Sequence, residues 1–95
     1  MGVTTIEVGT TPKRLLSANP GRVVYSLINE GNYNAYVGFD KNISTTGKSK
    51  GIKLSANGGG MEDEFYKGEV WAIAEGNTEI TVVEVSDFQS IQCLL

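Results

Sequence analysis

The segment RVVYSLINEGNYNAYVGF, residues 22–39, carries the pattern that decides the fold class. Apolar and polar side chains alternate on both sides of a short polar joint, Glu30-Gly31-Asn32, and this is the two-residue period of a pleated strand. Glycine and asparagine reach positive φ at low cost, so the chain can reverse within about three to five residues at the joint. The segment is therefore predicted to form a β-hairpin that the other segments cover or extend.

The rest of the chain repeats this kind of pattern. Short β-branched or alternating stretches recur about every 8–15 residues between glycine-containing turns, without the apolar repeat of a helix. The spacing predicts an all-β fold, a small antiparallel β-sandwich of jelly-roll-like or Ig-like (immunoglobulin-like) type with six to eight short strands. Residues 69–74 and 79–85 are predicted to form a second hairpin. The largest core side chains are predicted to be Tyr25, Leu27, Val37, Phe39, Trp71, Ile73 and Val83.

Composition bounds the domain organisation and excludes several classes of chemistry. The 95 residues suffice for one domain, predicted over residues 1–86, followed by an apolar tail over residues 87–95. A net charge of −3 argues against nonspecific nucleic-acid binding, which needs a surplus of cations. The chain has no histidine and a single cysteine, Cys93, so the usual nucleophile pairs and transition-metal sites cannot be assembled. We expect no enzymatic activity, no cofactor and no metal.

Two oxygen-rich stretches resemble metal-binding motifs but do not complete them. Residues 40–44, DKNIS, place oxygens at the first, third and fifth positions of a calcium loop. Thr45 then stands where the bending glycine belongs, and Gly51 stands where the bidentate glutamate belongs. In the acidic run over residues 62–64, neighbouring side chains point to opposite faces of a strand. We expect these stretches to serve structure and solubility.

The two ends of the chain provide the candidate interface. The N-terminal segment lacks the basic and apolar regions of a signal peptide, and no stretch approaches the roughly 18–20 apolar residues of a membrane span. We therefore expect no membrane partner. The apolar tail either folds back on its own sandwich or docks on a neighbouring chain, and the small core predicts that self-association would add stability. The candidate interface residues are Val3, Thr5, Ile91, Cys93, Leu94 and Leu95.

A polar loop and several aromatic residues leave a binding module open as the alternative. Residues 40–50 hold one aliphatic side chain and are predicted to form an exposed loop, with the nearby lysines in solvent. Small β-sandwiches present such loops to ligands, and aromatic rings offer apolar surface to glycans. In this alternative the chain recognises a host receptor or glycan. The candidate contact residues are Tyr33, Tyr36, Asp40 and Tyr66.

The order of the segments resembles small virion proteins of tailed bacteriophages and related prokaryotic viruses. The resemblance covers most of residues 3–85 and is carried by LLSANPGR (residues 15–22), AYVGFD (35–40) and GEVWAIA (68–74), while the tail lies outside it. It implies a small β-sandwich without catalysis that decorates or cements a capsid, or serves as a minor capsid component. It further implies the major capsid protein or other virion proteins as partners, and location in the virion after assembly in the host cytoplasm. Together with the small core, it predicts a homo-oligomer, either a trimer or a pentamer.

Overall fold

The computed structural model describes residues 2–86, and they form an all-β fold with eight strands and one short 3₁₀ turn, Gly47–Ser49. The predicted antiparallel sandwich is confirmed. Residues 87–95, the predicted tail, lie outside the described residues. The strands are β1 (Gly2–Val8), β2 (Lys13–Leu16), β3 (Arg22–Asn29), β4 (Ala35–Gly38), β5 (Ile52–Leu54), β6 (Gly60–Asp63), β7 (Val70–Ala74) and β8 (Thr78–Ser86).

The strand order is that of a jelly roll. The first sheet has the order β1-β8-β3-β6 and the second has the order β2-β7-β4-β5, with all pairs antiparallel. The first strand therefore pairs with the last, the second with the seventh, the third with the sixth and the fourth with the fifth. This nesting is the pattern of an eight-stranded double-sheet jelly roll. In the Ig-like alternative, the first strand does not pair with the last.

Both predicted hairpins are wrong. β3 lies in the first sheet and β4 in the second, so the joint after β3 crosses between the sheets instead of pairing its flanking strands. The same holds for β7 and β8. The alternation that suggested hairpins is real, but it indicates only that each strand buries one face. A short joint is compatible with a crossing between sheets as well as with a hairpin turn.

The core lies between the two sheets, and three of the seven predicted core side chains belong to its main cluster. Tyr25, Leu27 and Val37 are buried in it as predicted. The other predicted members are placed differently: Phe39 is 43% exposed, and Trp71 and Val83 are half-buried. Ile73 is buried, but it pairs with Tyr36 outside the main core cluster. The inward residues of the last two strands are instead Val70, Ala72, Ala74, Ile80 and Val82.

A buried arginine closes one end of the sandwich. Arg22, the first residue of β3, is only 1% exposed, and its Nε donates to Oε2 of Glu84 at 2.9 Å. Its Nη1 donates to the carbonyl oxygens of Tyr66 and Gly68, each at 3.0 Å, and its Nη2 donates to that of Ser17 at 2.7 Å. The side chain therefore joins the end of β2, the loop between β6 and β7, and β8.

A buried asparagine closes the opposite end. Asn29, the last residue of β3, is fully buried, and its Nδ2 donates to the carbonyl oxygens of Tyr33 at 2.7 Å and Leu54 at 3.0 Å. Its Oδ1 accepts from the N–H of Gly31 and from Oγ1 of Thr78. Because these partners belong to both sheets and to the crossing joint, Asn29 fixes the path by which the chain changes sheet.

Candidate functional site

The outward side of the first sheet is mainly β-branched. Side chains alternate along each strand, so the buried Tyr25 and Leu27 fix the opposite residues of β3 as outward, and the register carries this assignment to β1 and β8. Val3 is 62% exposed and Ile28 is 44% exposed. We call this surface the valine face, defined by Val3, Thr5, Val24, Ser26, Ile28, Thr81, Val83 and Val85.

Carboxylates border the valine face. Glu7 of β1 and Glu79 of β8 stand directly opposite each other, an arrangement that is unfavourable for like charges. A carboxylate oxygen of Glu30 accepts a hydrogen bond from Oγ1 of Thr81, and Glu62 accepts one from Oγ of Ser26 at 3.3 Å. Within residues 2–86, the outward positions of the first sheet hold no lysine or arginine. An apolar centre with an acidic border suits contact with a surface that has an apolar centre and basic edges.

The predicted interface residues divide between this face and the tail. Val3 and Thr5 both lie on the valine face, on β1 at the edge of the first sheet, and Oγ1 of Thr5 lies 3.2 Å from Oγ1 of Thr81. The remaining predicted interface residues, Ile91, Cys93, Leu94 and Leu95, lie outside the described residues.

A groove lies on the other side of the molecule, between β4, β5 and the loop that joins them. Its volume is about 590 Å³, and Asp40, Ile43, Lys48, Lys50 and Ile52 are among the residues that line it. The groove is wide open to solvent. Lys48, Lys50 and Lys53 are exposed, as predicted, and the groove brings Lys48 and Lys50 to one surface with apolar side chains.

Two glycines allow the groove loop to lie against the sheet. A Cβ on Gly51 would lie 2.3 Å from the carbonyl oxygen of Val37, so any side chain there would displace the loop from β4. A Cβ on Gly38 would lie 2.1 Å from Cγ2 of Ile43, whose side chain occupies that space. Gly38 shares a cross-strand row with Trp71, so Ile43 covers the outward side of the second sheet.

An aromatic pair stands beside the groove. The rings of Phe39 and Tyr66 lie 4.3 Å apart between centroids, at an interplanar angle of 42°, and the Tyr66 hydroxyl donates to the carbonyl oxygen of Phe39 at 3.4 Å. Asp63 accepts hydrogen bonds from the N–H groups of Phe65 and Tyr66. Desolvation would raise the pKa of Asp63, but these bonds outweigh it and hold the pKa below its usual value. A charged Asp63 therefore helps to fix the segment that carries Tyr66.

The four predicted ligand contacts do not form one site. Asp40 and Tyr66 lie near Phe39, beyond the C-terminal end of β4. Tyr33 precedes the N-terminal end of β4, where it is 49% exposed and lies against Gly76. Tyr36 is 6% exposed, and its hydroxyl donates to Glu75 at 2.9 Å. That bond first, and desolvation second, raise the pKa of Tyr36.

The sequence missed Phe39 as a surface residue, because the alternation grouped it with Val37 on the core face. An apolar residue just past the last strand position carries no sequence signal of exposure. The structure places Phe39 within reach of both Asp40 and Tyr66, so it links the two predicted contacts that do lie together.

The oxygen-rich stretches form no metal cluster. Oδ1 of Asp40 accepts a hydrogen bond from the backbone N–H of Asn42 at 2.8 Å, which closes a local turn. Across residues 2–86, no group of three or more Asp, Glu, Cys or His side chains is arranged to hold a metal ion. The part of the chain that the structure describes also has no helix of the length and hydropathy needed to cross a membrane.

Comparison with known proteins adds no relative. No protein-family model matches the chain, and no curated protein or solved structure does so either. The resemblance to virion proteins therefore stays a prediction, and the functional argument depends on the chain's own surfaces.

Proposed function

We propose that this protein is a non-enzymatic structural protein of a virion that decorates, cements or completes the capsid by adhesion. The observation that carries the proposal is the valine face, a largely apolar surface without cations on the outer side of a jelly-roll sheet, with Ser26 and two threonines among its side chains. Solvent-exposed sheet faces are usually polar, so an apolar one marks a contact surface. Jelly rolls occur in capsid and lectin domains, which supports the proposal by analogy of fold.

The exposure of the valine face indicates how such adhesion would work. Full burial of a large apolar side chain contributes about 1.5–3 kcal/mol, so burying what remains exposed of Val3 and Ile28 contributes roughly 2 kcal/mol together. This is small beside the several kcal/mol that association costs in lost freedom of motion. A single copy would bind weakly, and stable attachment would require several linked copies acting together on neighbouring capsid proteins. The proposal therefore includes a homo-oligomer.

The test compares particles that carry the protein with particles that lack it. Deleting the gene from the viral genome should lower the survival of particles after heating and osmotic shock, and supplying the purified chain should restore it. Ile28→Lys places a charge in the valine face and should prevent the rescue. Lys53→Gln alters an exposed residue of the second sheet and should leave the rescue intact. Equal survival with and without the protein would refute the proposal.

The groove favours a second candidate function, recognition of a glycan on a host surface. Phe39 and Tyr66 offer aromatic surface for the apolar side of a sugar ring, and Lys48 and Lys50 supply cations. This combination suits sugars that carry a carboxylate or sulfate group.

On a glycan array, the wild type should bind acidic glycans, and both Phe39→Ala and the Lys48→Gln/Lys50→Gln double variant should lose the signal. Tyr36→Phe, a change at the opposite end of β4, is the control. No binding by the wild type at micromolar concentration would remove this candidate.

A further inference from the structure

The four edge strands of the sandwich differ in how well they are protected against pairing. β5 and β6 have three and four residues and include Lys53 and Glu62, respectively. β2 has four residues, begins with Lys13-Arg14 and contains a register shift. Short length, charge and bulges are the usual devices that prevent strand addition. β1 has none of them over most of its length: it has seven residues, GVTTIEV, and its single charge is Glu7.

β1 is open on one side within residues 2–86. It pairs with β8 along its whole length, and no other described strand flanks it. The backbone groups of β1 that point away from β8 therefore have no partner strand among residues 2–86 and form a row of donors and acceptors along the edge. A further strand could extend the first sheet from four strands by pairing with this row.

The sequence of β1 is compatible with pairing to itself. Thr5 is its middle residue, so an antiparallel arrangement about a two-fold axis at Thr5 pairs all seven residues. Thr5 then stands opposite its own copy, Val3 opposite Glu7, and Thr4 opposite Ile6. Like charges are not opposed in this register, and Thr–Thr pairs are favourable neighbours across strands. The two valine faces join on one side of the extended sheet.

We infer that β1 pairs with β1 of a second copy of this chain, forming a two-fold dimer with a continuous eight-stranded sheet. A trimer or pentamer built through β1 would need a different edge as the partner, and each of the other three is short and charged. The inference deepens the proposed function because it doubles the apolar surface of each adhering unit. It does not depend on that function, since pairing can be measured on the purified chain without any virion.

The first test is the oligomeric state of the full chain, measured by size-exclusion chromatography with light scattering over a range of concentrations. The wild type should be a dimer. Thr5→Lys opposes two lysines at the axis and should raise the dimer Kd at least tenfold. Ile28→Lys, on the same face but away from the edge, should leave the Kd within about twofold of the wild type. Circular dichroism checks that both variants retain the β fold.

The second test examines the register. In a Cys93→Ser background, Thr5→Cys should form an intermolecular disulfide under mild oxidation, because residue 5 meets its own copy. Val3→Cys should cross-link far less, because residue 3 meets residue 7. Hydrogen exchange should show that the free edge amides of β1 gain protection as the protein concentration rises.

Three results would overturn the inference. One is a trimer, a pentamer or a monomer at high concentration. Another is a dimer that Ile28→Lys dissociates and Thr5→Lys does not, because that dimer would be stacked through the face. The third is a monomer whose β1 amides are already protected at low concentration, because residues 87–95 of the same chain would then cover the edge. If the chain forms the β1-paired dimer but particles survive equally well without the protein, the proposed function is refuted and the dimer inference stands.

Discussion

Replacing Arg22 by methionine tests whether the buried guanidinium holds the sandwich closed. Methionine has a similar length and packs well, but it leaves the carbonyl oxygens of Ser17, Tyr66 and Gly68 without their donor. These hydrogen bonds are only part-buried, so each acceptor left unpaired costs about 1 kcal/mol, near the lower end of the usual range of about 1–3 kcal/mol. Glu84 also loses its cation, but it is 28% exposed and still accepts a hydrogen bond from Nδ2 of Asn19 at 3.2 Å, so its contribution is about 1 kcal/mol. The methionine side chain itself requires no desolvation of a charge, which offsets part of the loss. We expect the free energy of unfolding to fall by about 4 kcal/mol.

This loss is a large fraction of the 5–15 kcal/mol that is typical of a domain, so Arg22→Met should unfold at far lower urea concentration. The thermal midpoint should drop by about 4–8 °C for each kcal/mol lost. The control is Arg14→Met. Arg14 also pairs with a glutamate, Glu69, at 3.2 Å, but both side chains are about half exposed, so its loss should cost under about 1 kcal/mol. Adding Glu84→Gln to Arg22→Met should recover part of the stability. A loss below about 1 kcal/mol in Arg22→Met would refute the assigned role of the arginine.

Four further perturbations test other parts of the fold. Asn29→Asp replaces a donor to two carbonyl oxygens with a carboxylate and should cost at least about 2 kcal/mol in urea unfolding, whereas Asn32→Asp at an exposed site should be neutral. The buried Tyr25 hydroxyl lies near Asp63 but makes no hydrogen bond of ordinary geometry with a described residue, so Tyr25→Phe should change stability by under about 1 kcal/mol. A larger loss would show that the hydroxyl does bond to Asp63. Desolvation, then the nearby Asp63 charge, raise the pKa of Tyr25 from 10.0 to about 12, so the wild type should lose stability as pH rises from 10 to 12, and Tyr25→Phe should lose less. Gly51→Ala should destabilise the groove loop and increase its hydrogen exchange, while Gly2→Ala, which has open space around it, should have no effect.

The sequence predicted the fold class because alternation and turn spacing depend only on each strand having one buried face. It could not predict which face is buried in β7 and β8. In β7 the larger side chains, Trp71 and Ile73, lie on the outer side, whereas the small Ala72 and Ala74 face inward, where the sheets pack closely. Burial of the larger side chains would favour the opposite arrangement. Tertiary packing, and not local preference, therefore determines which face of β7 is buried.

The pairing of strands was also beyond the sequence, and the side chains that tie β3 to distant segments are polar. Arg22 and Asn29 are the first and last residues of β3. Arg22 connects the strand to a loop more than forty residues away, and Asn29 connects it to both sheets. Charged and amide side chains are normally exposed, so a sequence pattern assigns them to the surface. The candidate surfaces were predicted in part: Val3, Thr5 and the loop over residues 40–50 lie on them, while Tyr36 is buried.

The distribution of charge makes the two candidate functions compatible. Glu7, Glu62 and Glu79 occupy outward positions of the first sheet, whereas Arg14 and Lys53 occupy outward positions of the second. The groove loop joins two strands of the second sheet and covers its outer side, so the groove and the valine face lie on opposite sides of the sandwich. A chain that adheres through the valine face would therefore present the groove, with its lysines and aromatic pair, to solvent. The two proposed functions would use different surfaces, so a variant that removes one should leave the other intact.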